Sequence, residues 1–266
     1  MSDDNTERVG DRIKTMYEDR TRFYLPRRCY TIIRIDGKNF SRYTKNLDKP
    51  FDIGLAHDFD LVTKGLCAEV MGCCLGYTQS DEITLVLTDF SNANSDAWFD
   101  GNLQKLSSVS ASMATMLFNR ARLARADGNQ TSEPGACFDA RAFSIADREE
   151  VVSYLAWRQA DAYRNSVSAI ARNVLSHKDM LGVNIRALRE MLVERGINLA
   201  THPAGLLYGR VIRKETYFTD VKVVDVENLS MTQRHRWVVG DAPSFATTYL
   251  PVELLPERER FGRNSQ

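Results

Sequence analysis

Between Cys73 and Leu87 the chain reads CCLGYTQSDEITLVL. Cys73 to Thr78 and Ile83 to Leu87 are short strand-forming runs, and Gln79-Ser80-Asp81-Glu82 is the turn that joins them. Ile83, Leu85 and Leu87 alternate onto one face. The result is a hairpin with two adjacent carboxylates, Asp81 and Glu82, at its mouth. The flanking segments decide what it belongs to. Upstream, Cys29 to Ile35 reads as a strand stopped by Asp36-Gly37. Residues 53–72 then place Leu55, Phe59, Val62, Leu66 and Val70 at helical spacing. Downstream, DFSNANSD is a loop, and residues 102–125 form a second helix with Leu103, Leu106, Ser110, Met113 and Leu117 on one side. DGNQTSEPG is another loop and ACFDARAF a fourth strand.

The order β-α-β-β-α-β predicts an α+β fold, a ferredoxin-like palm. In that topology the third strand lies antiparallel beside the first. Asp36, at the end of strand one, is therefore expected beside Asp81 and Glu82, at the start of strand three. Residues 147–175 and 184–194 read as further helices, with a break at Asp179 to Gly182, and 205–226 carries strand-like runs. The expected organisation is a lead-in with a short helix (1–28), a palm core (29–145), a helical extension (146–220) and an irregular tail (221–266).

Composition narrows the function. Lys+Arg and Asp+Glu both number 35, so any nucleic-acid surface must be local. Arg120, Arg122 and Arg125 on one helix, with Arg164 and Arg172 on the next, are the candidates. The five cysteines form no paired C-x-x-C motifs and are expected to be reduced and mostly buried. The four histidines are scattered, which argues against a His-based metal site. The polar N-terminus is not a signal peptide, and no run approaches the ~18 apolar residues of a membrane span. A cytoplasmic protein without a membrane partner is expected. Neither a P-loop nor a G-x-G-x-x-G fingerprint is present.

Carboxylates brought together repel one another and lose hydration. A divalent cation relieves both costs. Asp36, the carbonyl of Gly37 and Asp81 form a hard-oxygen set suited to Mg²⁺. Two such ions about 3.5–4 Å apart can clamp a phosphoryl displacement. By residue type alone, Asp36-Gly37 is also an ordinary turn and Asp81-Glu82 a solvated hairpin tip. Lys49, Lys105 and Arg158 are candidates to hold a triphosphate. For Arg158 the plainer expectation is a pair with Asp161, beside a core Trp157. Ser80 could donate to a phosphate or cap the turn.

Four segments together resemble the tRNA-His guanylyltransferase superfamily: IIRIDGKNFSRYTKNLDKPFD, GYTQSDEITLVL, FDARAF and YLAWRQADAYRN, in that order, from about residue 30 to 215. The resemblance implies a 3′–5′ nucleotidyltransferase acting on the 5′ end of tRNA. ATP would activate the 5′-monophosphate, and GTP or another nucleoside triphosphate would then be added. It implies two Mg²⁺ ions on Asp36, Gly37 and Asp81, with Ser80 and Glu82 completing the catalytic group. It implies nucleotide contacts at Lys38, Asn39, Phe40, Lys49, Asp52, Lys105, Arg158 and Asn165, and a homotetramer. The chain departs from the eukaryotic pattern at residues 163–169, where Tyr-Arg-Asn-Ser-Val-Ser-Ala replaces His-Ile-Asn-Asn-Leu-Tyr-Asn and only Asn165 is kept. Lys38 stands where the pattern has Arg. These departures resemble the guanylyltransferase-like branch, which repairs truncated tRNA 5′ ends on a template. The alternative is addition of G at position −1 of tRNA-His. Two other classes share parts of the pattern: a nucleotidyl cyclase with the same palm, and a non-catalytic tRNA-binding module.

Overall fold

A computed structural model of the protein describes residues 3–92, 94–125, 135–222, 229–247 and 255–257. In chain order the elements are α1 (Asp3–Ile13), β1 (Tyr30–Gly37), the one-turn α2 (Phe40–Tyr43), α3 (Ile53–Glu69), β2 (Cys73–Gln79) and β3 (Glu82–Leu87). There follow α4 (Leu103–Arg125), β4 (Phe138–Ile145), α5 (Arg148–Val174), the one-turn α6 (His177–Met180), α7 (Ile185–Glu194), α8 (Ala204–Tyr208), β5 (Arg210–Lys222) and β6 (Leu229–Asp241). The sheet order is β4-β1-β3-β2-β5-β6, with antiparallel neighbours throughout. Its first four strands are the expected palm.

Helix starts follow from local chemistry. Asp52 caps α3, its Oδ1 accepting from the Leu55 N–H at 2.6 Å. Asp147 caps α5 by accepting from the N–H groups of Glu149 and Glu150, and those two carboxylates also suit the positive end of the helix dipole.

Every residue of β3 is buried, because helices cover both faces of the sheet. On one face Ile33, Ile35, Ile83 and Leu85 meet Phe59 and Leu66 of α3 and Phe118 of α4. On the other, Ile32, Val86 and Tyr77 meet Val151 and Leu155 of α5. Each such side chain contributes about 1.5–3 kcal/mol on burial. Helix α5 is 27 residues long, about 40 Å at 1.5 Å per residue. Its second half leaves the sheet and forms a further apolar cluster, in which Val167 and Ile170 pack with Leu188 and Leu192 of α7 and Leu207 of α8.

Arg27 and Asp89 tie down the end of the sheet where β1 begins. Arg27 Nε donates to Asp89 Oδ2 at 2.7 Å, and the Arg28 N–H reaches the same carboxylate at 2.8 Å. Arg27 also contacts Asp100 at 3.3 Å and Asp96 at 3.5 Å.

The C-terminal region differs from expectation. Residues 221–266 are not an irregular tail throughout, because Leu229–Asp241 pairs along the whole of β5. Only Arg210 to Arg213 of β5 pair with β2. Beyond them the hairpin continues as a two-stranded ribbon, about 30 Å long at ~3.3 Å per residue.

Candidate active site

The register of β1 assembles the carboxylates. Asp36 lies opposite Glu82 on β3 and opposite Asp139 on β4. Directly opposed residues of antiparallel strands share a face, so the three stand side by side on the face that α5 covers. Asp36 is paired on both flanks, so β1 runs through Gly37 and the expected stop before Asp36 does not occur. Asp81 sits in the two-residue turn Ser80-Asp81, with Ser80 at a φ of 50°. The Gly37 N–H donates to the Asp81 carbonyl at 3.1 Å, and Ser80 Oγ donates to Asp81 Oδ1 at 2.9 Å. The turn is thereby tied to the end of β1. A Cβ on Gly37 would overlap the buried Phe40 ring, so this position requires glycine.

Crowding and burial show in the electrostatics. Burial raises the Asp36 carboxyl above its usual value and Asp139 adds repulsion, against Arg34, Arg141 and Arg158. Burial also raises Asp81. The Ser80 hydrogen bond opposes that shift and the charge of Asp36 reinforces it. Glu82 is pushed up to about 6 by burial, against the pull of Arg158 and Arg34.

Arg158 is 4% exposed, and its Nε lies 3.0 Å from Glu82 Oε1 in an ion pair without hydrogen-bond alignment. It also pairs with Asp161, as the sequence suggested, and Arg164 holds the same carboxylate. Burial opposes ionisation of Asp161, but the hydrogen bonds from Arg158 and Arg164 hold its carboxyl below the ordinary range. Arg158 is thus engaged on both sides, by Glu82 and by Asp161. Glu82 is itself buried beside it. Trp157 is not a core residue: it is 51% exposed, with the Arg158 guanidinium 4.2 Å above its ring.

Other expected site residues divide clearly. Lys38 and Asn39 are exposed next to Gly37, and the N–H groups of Asn39 and Phe40 have no acceptor among the described residues. Phe40 offers only its backbone, because its ring is packed among Tyr43, Phe59, Phe118 and Phe138. The Lys49 ammonium donates to the Thr44 carbonyl of its own loop at 2.7 Å. Asp52 is occupied as the α3 cap. Asn165 is exposed on α5, two turns beyond Arg158. Lys105 lies elsewhere. It begins α4 beside Phe99, 5.5 Å over that ring, and Leu106 next to it lines a small crevice with Thr31 and Leu87. That is the opposite end of the sheet, about 17 Å from Asp36 by strand rise. Within one chain Lys105 is not part of this site. The expected basic face on α4 is also reduced, because Arg122 and Arg125 are spent on the buried Asp58.

The sequence reading missed Asp139, Arg34 and Arg141, which flank Asp36. The signal was FDARAF itself, once its strand is laid antiparallel against β1.

The donor set fits a hard divalent cation. Two like-charged, partly desolvated carboxylates adjoin a backbone carbonyl, and a bound cation would relieve their repulsion. A site built from Asp36, Asp81 and the Gly37 carbonyl supplies only three protein oxygens and would leave positions for phosphate oxygens, which is the habit of Mg²⁺.

The molecule is thus a ferredoxin-like palm with paired carboxylates at the β1–β3 end of its sheet. The tRNAHis guanylyltransferase (Thg1) family model matches residues 10–146. A bacterial tRNA(His) guanylyltransferase (Thg1)-like protein, solved in complex with ATP, is 38% identical with a TM-score of 0.78, over 90% of this chain and 94% of that one. A bacterial Thg1-like protein in complex with GTP is 37% identical with a TM-score of 0.72, at the same coverage. A probable tRNA(His) guanylyltransferase of Mus musculus is 30% identical over 142 residues, 52% of this chain but 45% of the mouse protein. The chain belongs to the tRNAHis guanylyltransferase family, a family of nucleotidyltransferases. No helix among the described residues is long and apolar enough to cross a membrane.

Proposed function

We propose that this chain adds nucleotides to the 5′ end of tRNA in the 3′–5′ direction, and that it repairs truncated 5′ ends using the opposite strand as template. The observation that carries the reading is the convergence of Asp36 and Asp81, held by the β1–β3 register and by the Gly37–Asp81 hydrogen bond. In the first step an oxygen of the tRNA 5′-monophosphate bonds to the α-phosphorus of ATP and pyrophosphate leaves. In the second, the 3′-hydroxyl of the incoming nucleotide bonds to the activated 5′-phosphorus and AMP leaves. Both are in-line displacements, so one site serves both.

Asp36, Asp81 and the Gly37 carbonyl would hold Mg²⁺, which supplies charge neutralisation for the transferring phosphates. Ser80 fixes the Asp81 carboxylate for that task. The N–H groups of Asn39 and Phe40, without an acceptor among the described residues, would receive phosphate oxygens of the nucleotide. Glu82 and Arg158 stiffen the floor beneath the carboxylates.

The repair reading is supported by the departures from the eukaryotic pattern at Lys38 and at residues 163–169, where only Asn165 is kept. Addition of G to tRNA-His is the second reading, favoured by the family model. A purified-protein assay separates them: 5′-monophosphorylated tRNA lacking its first nucleotide is offered with ATP and each NTP, beside intact tRNA-His. Template-matched addition is the expected result. Addition of G to tRNA-His regardless of template would establish the second reading, and no addition to either would overturn both.

A further inference from the structure

Past the catalytic end of the sheet, α5, α7 and α8 enclose a cleft of about 930 Å³. Nothing in the proposed chemistry uses it. We propose that it takes an unpaired nucleobase from the 3′ side of the tRNA acceptor end, stacked on Tyr208. The proposal rests on the function inferred above and deepens it.

The wall of the cleft is a ladder of flat groups. The rings of Tyr163 and Tyr208 are parallel within 2°, with centroids 5.1 Å apart, and the Arg189 guanidinium lies 5.7 Å over Tyr163. Tyr208 is 39% exposed and lines the cleft. Aromatic platforms of this kind hold single-stranded bases, because every base has a π-face and an unpaired one is free to stack.

Charge chooses among nucleotide ligands. Arg186 and Arg189 line the cleft together with Glu190 and Glu194, and Arg186 is already paired with Glu190 at 3.2 Å. Two arginines against two carboxylates leave no surplus for a triphosphate. Such a wall suits an uncharged base whose phosphate stays outside.

Position chooses the strand. The Tyr208 carbonyl accepts from the Tyr77 hydroxyl at 2.8 Å and from Gln159 Nε2 at 3.4 Å. Tyr77 is on β2, and Gln159 is next to Arg158. Tyr163 follows Arg158 by five residues, about 7.5 Å along the helix. The ladder is therefore fixed to the same framework as the carboxylates. A tRNA whose 5′-phosphate lies at Asp36 and Asp81 brings its 3′ strand alongside, and that strand continues beyond the duplex as unpaired nucleotides.

The test uses 5′-monophosphorylated tRNA lacking its first nucleotide, with the unpaired 3′ nucleotides present or trimmed and with 2-aminopurine in the tail. The wild-type protein is expected to quench 2-aminopurine fluorescence and to bind the tailed RNA on the order of tenfold more tightly than the trimmed one. Tyr208→Ala removes both effects, whereas Tyr208→Phe keeps them. The anchoring carbonyl belongs to the backbone and survives either substitution, and thermal melting confirms the fold. Equal binding of tailed and trimmed RNA, or undiminished quenching in Tyr208→Ala, overturns the proposal. So does relief of quenching by ATP alone, which would make the cleft a mononucleotide site. If the RNA binds and stacks as expected but no nucleotide is ever added, the polymerase reading fails and the cleft assignment stands.

Discussion

The two ends of β1 are both rich in acid, and they handle it in opposite ways. Where the strand begins, one arginine gathers Asp89, Asp96 and Asp100, and Asp89 also receives the backbone N–H of Arg28. Charge there is spent on holding the chain together. Where the strand ends, Asp36 faces Glu82 and Asp139 with Asp81 in the adjoining turn, and burial and repulsion keep protons on Asp36, Asp81 and Glu82 longer than usual. Glu82 there is paired with Arg158, but Asp36 and Asp81 form no ion pair among the described residues. A satisfied cluster belongs to folding, and a strained one is available to a ligand.

The comparison breaks if substitutions at the two ends fail to separate activity from stability. The largest effect is expected for Asp81→Ala. Losing a metal ligand removes several kcal/mol of transition-state stabilisation, so incorporation should fall by about a thousandfold or more. Its melting temperature should hold, since the carboxylate's bond from Ser80 is local to an exposed turn and the tie to β1 runs through the Asp81 backbone carbonyl. Asp89→Ala at the opposite end should do the reverse. It takes the carboxylate from the Arg28 N–H and the shortest of three carboxylate contacts from Arg27, and costs about 2–3 kcal/mol, read from the denaturant midpoint. The specific activity of its folded fraction should match wild type.

Glu82 sharpens the contrast through pH. Its carboxyl rises from 4.5 to about 6 on folding. Between those values the folded state binds the proton more tightly than the unfolded one, so stability falls as pH rises through that window. Above it the buried charge costs about 2 kcal/mol. Glu82→Gln should therefore be about 2 kcal/mol more stable than wild type at pH 7.5, with the gap closing by pH 4.5, while incorporation drops because Arg158 loses its anchor. The smallest effect is expected at Lys105. Its exposed contact with Phe99 is worth about 0.5–1 kcal/mol, and Lys105→Ala should leave incorporation within about twofold. A larger loss would mean that Lys105 reaches the site of another copy in the expected tetramer.

Much of this was legible in the sequence because it rests on period and order. The apolar spacing of residues 53–70 and the QSDE turn were enough to set Asp36 beside Glu82. What could not be read has identifiable causes. Strand β6 carries Thr232, Gln233, Arg234, His235 and Arg236 in succession, all exposed on the ribbon, so no alternation marks it. Lys49 and Lys105 carry the right charge for phosphate, but charge alone does not say which carbonyl or ring a flexible stem will find. Trp157 looked like core because tryptophan is large and apolar, yet the guanidinium of Arg158 takes the place of a hydrophobic neighbour. The Tyr163–Tyr208 pair joins residues 45 apart through a turn of backbone that no local pattern announces.

Helix α5 contains neither glycine nor proline from Arg148 to Val174, so nothing in it invites a hinge. Arg158 beneath the carboxylates and Tyr163 at the cleft are marks on the same rod. Their separation behaves as a built-in length standard, unchanged from one catalytic cycle to the next. Any movement the enzyme makes while handling RNA must be made by loops around that standard, not by rescaling it.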